Sequence, residues 1–322
     1  MICETISVII PSESDSLDSN ILKCIDAAHY SKDKIEIILA VGKQPSIQRN
    51  EAARIAKGDI LYFFNRDAVV EPDIFRKAVD IINSDIRTAG AGGPDLTPPG
   101  NNYTQHLFGY AMSSYFAHWK MSARYSRLGA LRASDEKELL LSNLAVRKDV
   151  FLKAGLFNER LYPNEENELI NRIIKMGYKF IYSPELKIYR DRRKTLPGFM
   201  RQFHRYGRGR MEQVFLEKGS ENPQFIALFF LPLCFLAIFF MNGFWIKFVL
   251  LFLYMFLGMA DAFRLSVRNK KNLVFILPGL YLIMHISYYA GMWSAVLKKI
   301  PRLNFNGVRR DEFKTIVLKA LS

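Results

Sequence analysis

The chain has 322 residues, half of them hydrophobic, and carries 45 Lys and Arg against 31 Asp and Glu, a formal net charge of +14. Its apolar and aromatic content excludes a disordered chain, and its excess positive charge requires an anionic partner such as nucleic acid, lipid headgroups or a phosphorylated substrate. Because no zinc-ligand spacing, RNA-binding aromatic signature or helix-turn-helix pattern accompanies the cations, we expect no nucleic-acid partner.

The first third of the chain alternates short apolar runs with helical patterns. Residues 6–11, 35–41 and 60–64 have strand character, and residues 20–29 and 46–56 have helical spacing. This alternation predicts βαβ units and a mostly parallel sheet. Ligands bind beyond the carboxyl ends of such strands, which makes Asn65 and Asp67 candidates. A lone Asp after a strand is also an ordinary turn residue, and both interpretations stay open.

A cluster of carboxylates begins the next informative stretch. Glu165, Glu166 and Glu168 precede a helical pattern that includes Leu169 and Ile173. Repulsion between like charges, together with burial, raises a carboxyl pKa, so that one of these groups is a candidate proton acceptor. Acidic residues at a helix start are equally explained by capping, because the helix dipole favours anions there.

A basic segment follows at residues 187–210. Its nine cations are opposed only by Asp191, and they are Lys187, Arg190, Arg192, Arg193, Lys194, Arg201, Arg205, Arg208 and Arg210. Such a segment attracts anionic headgroups or clamps a diphosphate, since Arg offers a bidentate donor fork. A plain solvated face that obeys the positive-inside rule is the alternative.

Three apolar runs, at residues 225–241, 243–260 and 273–296, approach the ~20 residues that a membrane span needs. Buried core helices are the alternative. A third complete crossing places the basic tail outside, against the positive-inside rule, unless the last run re-enters at Pro278 and Gly279. We expect a true span. Three cysteines, Cys3, Cys24 and Cys234, show no close pairing, which favours a cytoplasmic soluble part.

Two long stretches carry a resemblance to a known family. QRNEAARIAKGDILYFFNRDAVVEPDIF resembles the donor-binding half of family-two glycosyltransferases of the GT-A type, which show Arg-Asn, an Ala-x-Gly-Asp turn, a strand and Asp-x-Asp. LLLSNLAVRKDVFLKAGLFNERLYPNEENELINRIIKMGYKFIYSP resembles the acceptor half. QFHRY, at 202–206, is similar to the Gln-x-x-Arg-Trp motif of membrane-bound members. The likeness covers residues 6–210 and is to membrane-anchored bacterial exopolysaccharide-type enzymes.

The resemblance implies an α/β fold and a domain plan. We expect a Rossmann-like, mostly parallel GT-A catalytic domain at 1–194 and an amphipathic interface segment at 195–222. About three transmembrane helices at 223–297 and a basic tail at 298–322 complete the plan. It implies a multi-pass protein of the plasma (inner) membrane whose catalytic domain faces the cytoplasm.

The resemblance also implies site residues. Asp67 matches the Asp of Asp-x-Asp that coordinates Mg²⁺ or Mn²⁺ on the donor diphosphate, with Asn65 at the first Asp position. Glu166 matches the catalytic base, and Glu165 the acidic residue before it. Arg49 and Asn50 match positions near the donor pocket. Gln202 matches an acceptor-binding position, and Arg205 matches a position that serves both the acceptor and the diphosphate region.

The reaction so implied moves a sugar from a nucleotide-sugar to a lipid-linked or growing glycan among membrane lipids, with inversion, since one base serves one in-line displacement. Asn65 and Glu166 depart from the family pattern, and AVGKQPS at 40–46 lacks the usual Asp. Two alternatives follow. A polyprenyl-phosphate sugar transferase has an acceptor that is already anionic and needs no base. A catalytically weak relative instead acts as a binding subunit of a polysaccharide-assembly complex.

Overall fold

The computed structural model describes residues 2–16, 19–216, 244–299, 314–319 and 321. The strands are β1 Ile6–Ser12, β2 Ile35–Val41, β3 Ile60–Phe64, β4 Val69–Val70, β5 Thr88–Gly92, β6 Asp95–Leu96, β7 Arg132–Ser134, β8 Asn143–Arg147, β9 Lys179–Tyr182, β10 Ile188–Tyr189 and β11 Lys314–Lys319. The helices are α1 Ser19–Asp26, α2 Pro45–Ile55, α3 Ile74–Asn83, α4 Tyr103–Met112, α5 Tyr115–His118, α6 Lys148–Lys153, α7 Glu165–Lys175, α8 Leu196–Leu216, α9 Phe244–Asn269 and α10 Leu277–Lys299. Two 3₁₀ turns lie at Lys32–Lys34 and Trp119–Arg124.

These elements form two compact units. The first takes the described residues of 1–101, 123–191 and 305–322, and the second takes those of 102–122 and 192–304. Compared with the expected plan, residues 102–122 join the helical unit and the C-terminal strand joins the first unit. Within the second unit the Phe108 and Phe199 rings stack at 4.2 Å.

The first unit is built on an eight-stranded sheet of order β11-β2-β1-β3-β8-β5-β9-β7. β1 is parallel to β2 and β3, β8 is antiparallel to β3 and β5, and β5 is parallel to β9. The strands β1, β2, β3, β5 and β9 therefore share one direction, which makes the sheet mostly parallel. The first three strands, predicted from their apolar runs, are confirmed, as are the helices between them.

Both faces of this sheet are covered, which is why its central strands are apolar throughout. One face packs against α1 and α3, with Ile25 and Phe75 in the core. The other packs against α2, α6 and α7, with Phe151 and Ile170 in the core. Each core is formed by alternate side chains of the same strands, as the pleat requires.

The Ala-x-Gly-Asp turn before β3 serves the sheet. A Cβ placed on Gly58 would lie 2.5 Å from the backbone nitrogen of Ser7, so the close approach of the two segments requires glycine. The Asp59 Oδ2 oxygen accepts the backbone N–H groups of Glu4 and Thr5 at 3.0 Å. This part of the family motif fixes β3 beside β1.

A second, three-stranded sheet lies in the first unit, in the order β4-β10-β6. β10 is antiparallel to β4 and parallel to β6. β4 follows β3 by four residues and β6 follows β5 by two, so this small sheet joins segments that leave the large one. It positions Asp95 and the residue after β10, Arg190.

The C-terminal residues 314–319 form an edge strand within the predicted basic tail. β11 pairs antiparallel with β2, and Lys314 lies opposite Val41. Lys314 Nζ also lies 2.9 Å from the Asp15 carboxylate. A paired neighbour satisfies the backbone groups that the edge of β2 would otherwise expose. Lys314 and Lys319 flank an apolar centre, Ile316–Leu318 in sequence, that suits a strand.

The second unit is helical. α8 and α10 approach through glycines: a Cβ on Gly207 would lie 1.9 Å from the Tyr288 carbonyl oxygen, and one on Gly291 would lie 1.9 Å from that of His204. Among the described residues, Lys247–Asn269 and Leu277–Lys298 are long and apolar enough to cross a membrane. The predicted span at 225–241 lies outside the described residues.

Candidate active site

The carboxyl ends of β1, β2, β3, β5 and β9 meet at one edge of the large sheet, where ligands bind in folds of this type. Asp67 stands there, in a turn that follows β3 and is closed by the Ala68 N–H, which donates to the Asn65 carbonyl at 3.1 Å. The Asp67 side chain is 52% exposed. It therefore offers a carboxylate to solvent or to a ligand, whereas the Asn65 backbone holds the turn.

The carboxylate cluster lies at the N-terminus of α7, as its sequence pattern predicted. Glu165 and Glu166 are both buried there. The Glu165 carboxylate lies 2.9 Å from Nη1 of Arg49. Burial, and then the neighbouring Glu166 carboxylate, raise the pKa of Glu165 to about 7 against the opposing effect of Arg49. Two adjacent buried carboxylates with one paired cation favour the uptake of a proton.

The N-terminus of α7 is held at the same sheet edge as Asp67. α2 begins at Pro45, close after β2 ends at Val41, so its first turns lie at that edge. The Ser46 hydroxyl, in the first turn of α2, donates to the Leu161 carbonyl at 2.6 Å. Arg49, one turn further on, holds Glu165. β2 and β3 have the same direction, so α2, which holds the start of α7, and the turn that carries Asp67 both lie at one edge of the sheet.

Asn50, beside Arg49 on α2, is engaged by the chain itself. Its Nδ2 donates to the Phe157 carbonyl at 3.0 Å, and its Oδ1 accepts the Phe157 N–H at 2.9 Å. A further bond joins Nδ2 to the Glu159 carboxylate at 3.1 Å. The two residues that the resemblance set near the donor pocket therefore connect α2 with the segment that leads to α7.

Two charged residues at the edge were not among the predicted site residues. Nε of Arg190 lies 3.8 Å from Oδ2 of Asp67, and Nη1 lies 3.5 Å from Oδ2 of Asp95. The Asp95 side chain is 1% exposed and that of Arg190 is 17% exposed. Asp95 lies three positions after the end of β5, which has the same direction as β3, and this place near a strand end is the sequence signal for it. Arg190 is one of nine cations in a single segment, and its position in the sequence does not distinguish it from the other eight.

A divalent ion fits this edge through Asp67. Its exposed carboxylate supplies the hard oxygen that Mg²⁺ and Mn²⁺ prefer. In the described part of the chain no group of three or more His, Cys, Asp or Glu side chains gathers to hold an ion unaided. The protein thus suits an ion that takes most of its ligands from a bound diphosphate, as Mg²⁺ commonly does.

Gln202 and Arg205 lie on α8, in the second unit. Gln202 is buried, and its Nε2 donates to the Tyr206 hydroxyl at 2.9 Å. Arg205, on the same helix, is exposed. The Tyr that replaces Trp in this motif thus orients the Gln side chain one turn before it.

Comparison with known proteins defines the class. The mannosyltransferase PcManGT from Pyrobaculum calidifontis, solved with GDP-Man and Mn²⁺, has a TM-score of 0.59 at 14% identity, covering 91% of this chain and 87% of that one. This likeness shows a shared fold, which is that of the GT-A glycosyltransferases.

Relatives by sequence give the family. A model of glycosyl transferase family group 2 matches residues 60–294. A Methanococcus voltae protein is 21% identical over 343 residues, covering 91% of this chain and 97% of that protein. It is a dolichyl N-acetyl-alpha-D-glucosaminyl phosphate 3-beta-D-2,3-diacetamido-2,3-dideoxy-beta-D-glucuronosyltransferase. The chain belongs to glycosyl transferase family group 2, and the predicted family, fold and enzyme class are confirmed.

Proposed function

We propose that this glycosyltransferase moves a sugar from a nucleotide-sugar to a hydroxyl of a lipid-linked or growing glycan, with inversion, at the cytoplasmic face of the membrane. The observation that carries the proposal is that the buried α7 carboxylates, one of them paired with Arg49 of α2, lie at the same edge of the sheet as the exposed Asp67. The name of the Methanococcus relative describes a dolichyl-linked sugar as acceptor, and PcManGT was solved with a nucleotide-sugar. Both support the same substrate classes here.

The chain's own residues divide the work of such a reaction. Glu166 accepts the proton of the acceptor hydroxyl while that oxygen bonds to the anomeric carbon and the bond to the diphosphate breaks. Arg49 and Glu165 hold the start of α7 in place. A Mg²⁺ or Mn²⁺ ion held by Asp67, when bound, neutralises charge on the leaving diphosphate. Attack opposite the leaving group inverts the anomeric carbon.

Product analysis tests the reaction. The full chain in detergent is incubated with a panel of nucleotide-sugars and a membrane lipid extract, and the lipid product is isolated. We expect one sugar to be transferred to a lipid-linked glycan, with an anomeric configuration opposite to that of the donor, as proton NMR coupling constants report. A retained configuration contradicts the mechanism, and a product on polyprenyl phosphate itself supports the alternative transferase.

Asp67→Asn is expected to weaken Mn²⁺-dependent binding of UDP or GDP by about tenfold or more, because the amide keeps the shape but loses the charge that attracts the ion. Titration calorimetry with and without Mn²⁺ measures the difference. Asp80→Asn is the matched control, since Asp80 is an exposed carboxylate on α3. Equal affinities for the two variants would contradict the role of Asp67.

Two structural features support a membrane arrangement that differs from the expected one. β11 pairs with β2 of the catalytic sheet, which requires residues 314–319 to lie on the same side of the membrane as that sheet. The chain between 216 and 314 therefore crosses an even number of times, whereas three complete spans give an odd number. We infer that one of the three predicted apolar runs does not cross.

α10 is the apolar run that we infer not to cross the membrane. It packs on α8 through Gly207 and Gly291, and α8 is too rich in arginine to lie within hydrocarbon. The apolar stretch of α10 is 39% buried within the protein, against 17% for that of α9. With α10 at the interface, both the cations around Lys271 and the basic tail lie inside, which removes the conflict with the positive-inside rule.

Cysteine labelling in spheroplasts tests this arrangement, after Cys3, Cys24 and Cys234 are replaced by Ser. We expect Lys271→Cys to react with a membrane-impermeant maleimide only after permeabilisation, as Lys43→Cys in the catalytic unit does. Asn242→Cys is expected to react in intact spheroplasts. Labelling of Lys271→Cys from outside would instead support α9 and α10 as a crossing hairpin.

A further inference from the structure

We propose that Arg190 is a donor-binding residue that supplies a protein-borne positive charge to the diphosphate and holds Asp67 until the nucleotide arrives. The inference rests on the proposed function, because it assigns a residue of the diphosphate subsite. It also predicts how the metal ion and the nucleotide depend on each other. The family motif does not contain this residue, and the sequence names it only as one of nine cations in a segment that clamps a diphosphate or attracts headgroups.

The small sheet fixes the backbone of Arg190 at the sheet edge. β10 lies between β4 and β6, and the Arg190 N–H donates to the Leu96 carbonyl at 3.0 Å. β4 begins two residues after Asp67, and Asp95 is the first residue of β6. One strand thus carries the guanidinium to a point between the two carboxylates.

The two carboxylates have unequal surroundings. Asp95 is 1% exposed, and a buried carboxylate requires a nearby cation, which Arg190 provides at 3.5 Å. Asp67 is 52% exposed and lies 3.8 Å from Arg190. Both distances exceed that of a normal hydrogen bond, so these two contacts are ion pairs. Asp95 anchors Arg190, and Asp67 is the partner that a ligand can replace.

A diphosphate is the ligand that suits this exchange. It carries more negative charge than one carboxylate, and a guanidinium binds phosphate oxygens through parallel N–H bonds. When Arg190 turns towards the phosphate, the Asp67 carboxylate is released to the divalent ion. Before that, Arg190 competes with the ion for Asp67. Asn65, at the position of the family's first Asp, leaves the site one negative charge poorer, which makes the ion alone a weaker ligand.

Removing the Arg190 charge should therefore change two affinities in opposite directions, that for the nucleotide without metal and that for the metal ion alone. Removal of the Arg190 charge weakens the binding of nucleotide without metal, because the diphosphate loses its protein cation. The same change strengthens the binding of the ion alone, because Asp67 is released. A residue that only stabilises the small sheet would weaken both.

The experiment uses the full chain in detergent. UDP and GDP are titrated in EDTA and in Mn²⁺, and Mn²⁺ alone is titrated by electron paramagnetic resonance. For Arg190→Gln we expect a loss of about tenfold or more in nucleotide affinity in EDTA, a smaller loss in Mn²⁺, and a higher affinity for Mn²⁺ alone. Lys187→Gln is the matched control: Lys187 precedes β10 and pairs with Glu71 at 3.3 Å. It should leave all three affinities near those of the wild type.

Three results overturn the inference. If the wild type binds nucleotide only with Mn²⁺, or Arg190→Gln matches Lys187→Gln, Arg190 has no such role and the proposed function stands. If the wild type binds neither nucleotide with or without Mn²⁺, the proposed function itself is wrong. Arg190→Lys is the second variant if Arg190→Gln fails to fold, because it keeps a positive charge beside Asp95. It loses the bidentate fork, so its nucleotide affinity in EDTA should be lower than that of the wild type. An unchanged affinity would overturn the inference.

Discussion

Glu166→Gln is expected to lower kcat by about 10²–10⁴-fold while the affinity for the nucleotide-sugar stays near that of the wild type. The amide preserves the size of the side chain but cannot accept the proton of the acceptor hydroxyl. The measurement is the initial rate of sugar transfer to the lipid-linked acceptor, with donor binding followed separately by calorimetry. Glu166→Asp restores a carboxylate that is one methylene shorter and should recover part of the rate, because shifts of about 1 Å matter in catalysis.

Glu168→Gln is the matched control for this change. Glu168 lies in the same turn of α7 and carries the same charge, but its carboxylate is paired with Arg172 at 2.7 Å. Its removal should change kcat by about twofold or less. Equal rates for the Glu166 and Glu168 variants would favour the polyprenyl-phosphate alternative, in which the acceptor needs no base. Loss of donor binding by both would favour a general defect of α7.

Arg49→Met is expected to have the largest effect on stability, about 3–5 kcal/mol in the free energy of unfolding at pH 8. It leaves the Glu165 carboxylate buried without the cation that now lies 2.9 Å away. Denaturant unfolding of the full chain in detergent measures the change. Arg54→Met is the control on the same helix, since Arg54 and its partner Glu51 are both exposed, and it should change stability by about 0.5 kcal/mol or less.

The effect of Arg49→Met depends on pH with a defined sign. The pKa of Glu165 is raised from 4.5 to about 7 in the folded protein, so the folded state binds more protons than the unfolded state between these values. The contribution of Glu165 to stability is therefore lost as pH rises through that window. Without Arg49 the carboxyl stays protonated to higher pH, and the variant should be less destabilised at pH 6 than at pH 8.

Combining Glu165→Gln with Arg49→Met in one double variant completes a double-mutant cycle. The double variant buries no unpaired charge, so it should be more stable than Arg49→Met alone at pH 8. Its stability should also change less between pH 5 and pH 7 than that of the wild type, because the titrating group is gone. A double variant as unstable as Arg49→Met at both pH values would show that the packing of Arg49, and not its charge, stabilises the start of α7.

Local sequence determined β1, β2 and β3, the two helices between them, the helix that begins at Glu165 and the family of this protein. Apolar runs of five to seven residues between turns fix β1, β2 and β3, because strands buried on both faces must be apolar throughout. The same regularity placed Asp67 after a strand and Glu166 at a helix start. Each prediction depended on residues that are close in sequence, where spacing and geometry are directly linked.

Only the tertiary structure decided which distant charges meet. Arg49 and Glu165 pair across 116 positions, and Arg190 lies between Asp67 and Asp95. The tertiary structure also shows that part of the predicted basic tail forms β11, which pairs with β2. No local pattern encodes these contacts, because they follow from strand order and from the burial of charges that must find partners. The sequence supplies the groups, and the sheet edge decides which of them act together.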